Sequence, residues 1–301
     1  MSTSRCLAAE SEDAMFAIYK RELKSYFCGM TGVLFIAVLL LMVGIYMAVN
    51  NLMVAYPNFE YSLSGVLFIL LLMIPILSMR SLSEDIHART SQLLYSLPMK
   101  LSSVVLAKYF ALLTVLAIPC GIMCLYPLIL SSYGTVNFAS AYGGLLAFFL
   151  LGAALLAIGL FLSSLTESQV IAAVMTFGAF ILMYLMSGLS TLISATAEAS
   201  LFAFGILGAL LALILYALTK NVTVSAAFGA VLICGTVVVY LINSSLFAGT
   251  FPKLLSALAL FDRFGPFTEG LFDVTALVYY LSVAVLFVVF TVQSMEKKRF
   301  N

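Results

Sequence analysis

An all-α, polytopic membrane protein is the fold this sequence predicts, and three observations carry the prediction. Of 301 residues, 64% are hydrophobic and 9% are charged, against roughly 45–50% and about 25% in ordinary soluble domains. Charge-poor apolar runs of membrane-crossing length recur along the chain. The basic residues gather on one side of those runs.

A hydrocarbon core of about 30 Å needs about 20 apolar residues in a helix. Eight runs of that kind stand at roughly 30–51, 63–79, 104–131, 141–164, 170–191, 200–218, 223–242 and 275–294. The sixth and seventh crossings in this count are open to another reading. The pair 200–218 and 223–242 is parted only by Thr219-Lys220-Asn221-Val222 and can equally form an outer hairpin, which leaves six crossings. Eight is favoured, and in both readings the termini share a side. Little chain is left for a soluble domain, so residues 1–301 are expected to form one transmembrane domain.

Basic residues near span ends are held on the cytoplasmic side. With both termini inside, the inner segments hold Arg5, Lys20, Arg21, Lys24, Arg80, Arg89, Lys100, Lys108, Lys220, Lys297, Lys298 and Arg299, and the outer segments only Lys253 and Arg263. That asymmetry orients the chain N-in and C-in. No secretory signal is expected, because the first 29 residues include Glu10, Glu12, Asp13, Lys20, Arg21, Glu22 and Lys24, charges foreign to an apolar leader.

Ahead of the first span, residues 13–28 space Phe16, Tyr19, Leu23 and Phe27 by three and four, with Lys20, Arg21 and Lys24 on other faces. The pattern is that of an interfacial amphipathic helix. After the second span comes the most polar inner segment, Arg80 to Gln92, then LLYSLPMKLSS. Ser83 is placed to cap a helix opened by Glu84 and Asp85 and closed by Pro98. Leu93, Leu94 and Leu97 give that helix an apolar face suited to lipid or to a partner's groove. Pro75, Pro119 and Pro127 are expected to kink or interrupt the second and third spans. Residues 243–274 form the longest outer segment, expected as one or two short helices at the interface.

Several chemistries drop out. A net charge of +1 offers no broad field for nucleic acid. No G-x-x-x-x-G-K-[ST] run exists to cradle phosphates, so ATP hydrolysis is not expected of this chain. One His and five Cys without a C-x-x-C pair make a metal centre improbable. The spans lack the paired acids and bases of an intramembrane enzyme. Gly143, Gly144 and Gly152 read as helix packing. Lys108 and Glu167 stand at the inner boundary, where side chains are expected to reach water.

The order of these segments resembles ABC-2 type transporter permeases. The resemblance rests on the inner helix MFAIYKRELKSYF, on ILSMRSLSEDIHARTSQLLYSLPMKLSSVVLAKY after the second span, and on LTESQVIAAV opening the fifth. The family pattern reads here as Met79-Arg80, Glu84-Asp85, Thr90, Leu93-Leu94, Pro98 and Ala107-Lys108-Tyr109, with Asp85, His87-Ala88 and Ala107 as departures. The closing stretch from Phe261 to Phe300 looks like the gliding-motility type within that family.

The resemblance implies a type V exporter-like transmembrane domain, a permease without catalytic residues or a cofactor of its own, in the plasma membrane. It implies two ATP-binding subunits that hold ATP and Mg²⁺, a second permease half that is identical or related, and room for an accessory gliding-motility-type subunit. Membrane lipid is the remaining partner. Residues 83–100 would hold the coupling helix, with Arg80, Glu84, Arg89, Thr90, Leu93, Leu94, Tyr95 and Pro98 docking the ATP-binding subunit and Glu167 touching it from the next inner turn. The rival reading is a nucleotide-independent secondary transporter or membrane scaffold.

Overall fold

The computed structural model describes residues 2–54, 57–87, 101–192, 196–219, 229–232, 234–237, 240 and 249–300, with side chains from Met15 to Lys298 apart from 208, 210, 211 and 213–219. Among these residues every regular element is helical. In order they are α1 (Ser2–Cys28), α2 (Thr31–Tyr46), α3 (Phe59–His87), α4 (Leu101–Met123), α5 (Tyr126–Leu130), α6 (Phe138–Leu165), α7 (Gln169–Leu192), α8 (Ala197–Thr219), α9 (Thr250–Leu258), α10 (Gly265–Thr268) and α11 (Val274–Phe300).

Among the described residues, six helical stretches are long and apolar enough to cross a membrane: Thr31–Met53, Phe59–His87, Leu101–Leu130, Phe138–Leu165, Gln169–Leu192 and Val274–Lys298. They match six of the eight expected runs. The other two runs fall within 197–242, where α8 is described and most of 220–248 lies outside the described residues. The chain is a multi-pass membrane protein.

Two compact units divide the chain. In the first, Met1–Ile181 with Arg263–Asn301, α6 is the central helix. Most of its residues are buried, including Gly143, Gly144, Gly152 and Gly159, and α3, α4 and α11 pack around it. Without a hydrophobic driving force inside lipid, helices associate by close backbone approach at small residues. A Cβ added at Gly152 would stand 2.6 Å from Leu116 Cδ2, and one at Gly159 would stand 2.3 Å from Ser78 Oγ. The glycines expected to pack helices therefore do so, and Gly159 joins them.

The second unit, Leu182–Asp262, holds the end of α7 with α8 and α9. Tyr184 meets Phe261 edge-on at 5.5 Å, and Phe204 meets Phe251 at 5.0 Å. The expected short helices of 243–274 are α9 and α10, joined by a 3-10 turn at Asp262–Phe264.

Prolines divide the spans as their missing N–H dictates. Pro75 and Pro119 lie inside α3 and α4, and Pro127 opens α5 after a break at Cys124–Leu125. The first span widens into π-helical turns at Met47–Met53. There Asn51 Nδ2 donates to the Asn58 carbonyl at 3.0 Å and Asn51 Oδ1 accepts from Ser62 Oγ at 2.6 Å, so a buried polar pair holds the widened turn.

Three expectations need correction. The second span does not end at Met79, because α3 continues to His87. Ser83 therefore does not cap a new helix; it sits within α3, where its hydroxyl donates to the Met79 carbonyl. The N-terminal helix begins at Ser2 rather than near Asp13. Its inward face also differs from the expected stripe: Ile18 and Tyr26 are buried, whereas Phe16 and Phe27 are exposed. Of the expected stripe, Tyr19 packs beside Ile18 against α4.

Candidate functional site

The described charged residues nearest the polar loop converge on Lys108, in the second turn of α4. Its side chain is 2% exposed, so an unpaired ammonium there would carry a desolvation penalty of several kcal/mol. The residue is not solvated at the boundary as the sequence suggested. An ammonium has three donors; it donates to Glu22 Oε1 at 2.9 Å and to the Ser81 carbonyl at 2.7 Å, and it forms an ion pair with Asp85 Oδ2 at 2.7 Å.

Each acceptor comes from a different place in the sequence. Glu22 belongs to α1, which lies along α4 through Ile18 against Val104 and Ala107; Tyr19 and Thr114 share a hydroxyl–hydroxyl bond of 2.9 Å one level further in. Ser81 and Asp85 are one turn apart near the end of α3, so both face the same side. The knot thus fastens the amphipathic helix, the end of the second span and the start of the third to one cation. Arg21 also reaches Glu22, at 3.1 Å, from the exposed side.

Arg80 and Glu84 form a second pair across one turn of α3, through Nε to Oε2 and through Nη2 to Oε1. The guanidinium lies against the corner between α1 and α2. A Cβ at Gly29 would stand 2.9 Å from Arg80 Nη1 and 2.8 Å from the Ser25 carbonyl, so only glycine lets the chain turn there. Tyr26 is buried between these two pairs. Burial, joined by the Glu22 carboxylate, pushes its phenol well above the usual range and keeps it protonated.

One turn before the knot, Ser163 of α6 inserts into the hydrogen-bond ladder of α3. Its Oγ accepts from the Leu82 and Ser83 amides at 3.2 and 3.1 Å and donates to the Met79 carbonyl at 3.0 Å. A side chain intruding on the ladder is a recognised cause of bending.

Of the residues expected to form the site, Arg80 and Glu84 are brought together here. Arg89, Thr90, Leu93, Leu94, Tyr95 and Pro98 lie outside the described residues. Glu167 is not part of the knot; it follows α6, near Lys298 at the end of α11. Sequence reasoning missed the partnership of Lys108 with Glu22 and Asp85. One signal was present: a lysine within the apolar run VVLAKYF implies a buried partner. Among the described residues no group of three or more His, Cys, Asp or Glu is arranged to hold a metal ion.

Residues 51–200 match the family model described as ABC-2 family transporter protein. Just under half of the chain is thus similar to an ABC-2 transporter domain. No curated protein and no solved structure matches the chain. The matched residues run from the π-helical turns through α7 and include Asp85 and Lys108, while Glu22 precedes them. With six helices of membrane length, the domain supports a permease subunit of an ABC transporter. Such ABC-2 permeases are typically non-catalytic membrane subunits and generally work with an ATP-binding subunit.

Proposed function

We propose that this chain is the permease half of an exporter driven by a separate ATP-binding subunit, which grips the segment 83–100 next to the Lys108 knot. The observation that carries the reading is the knot itself. Its Asp85 and Lys108 lie inside the matched ABC-2 segment, and the knot immediately flanks residues 88–100 and ties three helices together. A push on that segment reaches α1, α3 and α4 at once, and the ladder opening at Ser163 gives α3 a place to bend.

In this reading both termini and the loop face the cytoplasm and the membrane is the plasma membrane. Arg80, Glu84, Arg89, Thr90, Leu93, Leu94, Tyr95 and Pro98 form the docking surface. Glu167 adds a second touch beside Lys298. Residues 1–301 act as one transmembrane domain, paired with an identical or related half. Two ATP-binding subunits hold ATP and Mg²⁺, with an accessory subunit of the gliding-motility type alongside. The closing stretch from Phe261 to Phe300 supports that branch.

The test is to replace Leu93 and Leu94 together with Asp and to ask whether the ATP-binding subunit still copurifies. Loss of copurification and of ATPase stimulation is the expected result. Full retention of both overturns the docking role, and labelling of residues 84–98 from the exterior of intact cells overturns the orientation.

A further inference from the structure

A groove of about 640 Å³ runs along the first unit between α4, α6 and α11, and none of the charged residues of the knot lines it. Its two walls are side chains of Leu106 and Phe110 on α4 and of Leu281, Val285 and Val289 on α11. The floor is Ala153, Ala284 and Tyr109, and Tyr109 spends its hydroxyl on the Ala153 carbonyl at 3.0 Å. The floor therefore offers no polar group to an occupant.

Polarity appears at one end only. Ser102, in the first turn of α4, and Gln293, near the end of α11, line the same end because the two helices run in opposite directions. From there the groove follows α4 to Leu113, about 17 Å, and α11 back to Leu281, about 18 Å. One leaflet of a bilayer has a hydrocarbon depth of about 15 Å. The groove matches a single leaflet rather than the whole membrane.

Its walls fit a chain better than a helix. They are bulky side chains along their length, whereas helix contacts in lipid favour small residues. Just beyond Gln293, exposed Glu296 and Lys297 follow at three and four residues, on the turn that continues past the polar end. An acid beside a base complements a headgroup carrying both phosphate and ammonium.

We propose that this groove is a binding site for one zwitterionic phospholipid per chain. An acyl chain lies between α4 and α11, the ester region meets Ser102 and Gln293, and the phosphate and ammonium face Lys297 and Glu296. The site is separate from the docking segment and does not depend on the transport reading.

The test uses the full chain in nanodiscs of equal phosphatidylethanolamine and phosphatidylglycerol with identical acyl chains. p-Benzoylphenylalanine at position 285 is photolysed, and native mass spectrometry follows detergent extraction. One phosphatidylethanolamine retained per chain, and a lipid adduct at position 285, are expected. Ala284→Phe, which fills the floor, should lower retention at least fivefold, and Glu296→Lys should shift the preference toward phosphatidylglycerol. Crosslinking of position 285 to a second copy of the chain overturns the proposal, as does lipid retention unchanged by Ala284→Phe. If Ala284→Phe does not fold, the position 285 adduct and the Glu296→Lys headgroup shift decide.

Discussion

Lys108 of α4 holds Glu22 of α1 at 2.9 Å, across 86 positions of sequence, with the ammonium almost wholly withdrawn from water. The bond converts an amphipathic helix that could lie loosely on the membrane surface into a strut fixed against the third span. Asp85 completes the arrangement from α3, so the cation answers to three helices.

Replacing Lys108 with Met should leave Glu22 and Asp85 facing each other in a poorly hydrated corner. Removing one partner of a buried pair typically costs about 3–5 kcal/mol. The expected outcome is a clear fall in the apparent melting temperature of the detergent-purified chain. Partial recovery is expected when Glu22→Gln and Asp85→Asn are added to Lys108→Met. A melting temperature equal to the parent's would contradict burial of the cation.

Glu22→Gln keeps the shape of the side chain and removes its charge. A hydrogen bond to a charged group contributes about 1.5–3 kcal/mol, and Asp85 still serves Lys108. The chain should fold, while protease cleavage within α1 should become several times faster. Equal cleavage rates would mean that the ion pair does not fasten α1.

Arg80→Gln makes a useful contrast. The Arg80–Glu84 pair is partly exposed, and i,i+4 pairs of that kind contribute about 0.3–0.5 kcal/mol. Melting should hardly change. If the proposed docking is right, stimulation of the partner ATPase should nonetheless fall, and unchanged stimulation would remove Arg80 from the docking surface.

Ser163→Ala strips the Leu82 and Ser83 amides and the Met79 carbonyl of their shared partner. Unsatisfied buried polar groups cost about 1–3 kcal/mol. Hydrogen exchange across 79–87 should accelerate while α6 itself stays protected. Exchange at the parental rate would argue that the ladder closes on itself without the serine.

Gly159→Ala should force α6 and α3 apart, since the new Cβ would stand 2.3 Å from Ser78 Oγ and 2.7 Å from Ser78 Cβ. Overpacking of this sort costs about 1–3 kcal/mol. Ser78→Gly in the same chain should restore most of the lost melting temperature. An additive double mutant would show that the two positions do not touch.

How far the sequence alone reached depends on which force set each feature. The spans were legible because lipid imposes one condition on every residue of a crossing: absence of charge over about 20 positions. That condition is local, and the six helices of membrane length fall on six of the expected runs. The packing role of Gly143, Gly144 and Gly152 was legible for a related reason, since small residues are what helices use to approach one another in lipid.

The Lys108 knot was not legible, because its partners stand 86 and 23 positions away. No periodicity links Glu22, Asp85 and Lys108. Only packing α1 along α4 decided which face of α1 turned inward, selecting Ile18, Glu22 and Tyr26 over Phe16 and Phe27. The continuation of α3 past Met79 was hidden in the same way: its polar last turns read as a loop, and the partners that meet them, Lys108 and Ser163, stand far off in the sequence. Hydrophobicity along the chain determined what crosses the membrane, and long-range charge pairing, which becomes strong only where water is excluded, decided how the crossing helices are tied together.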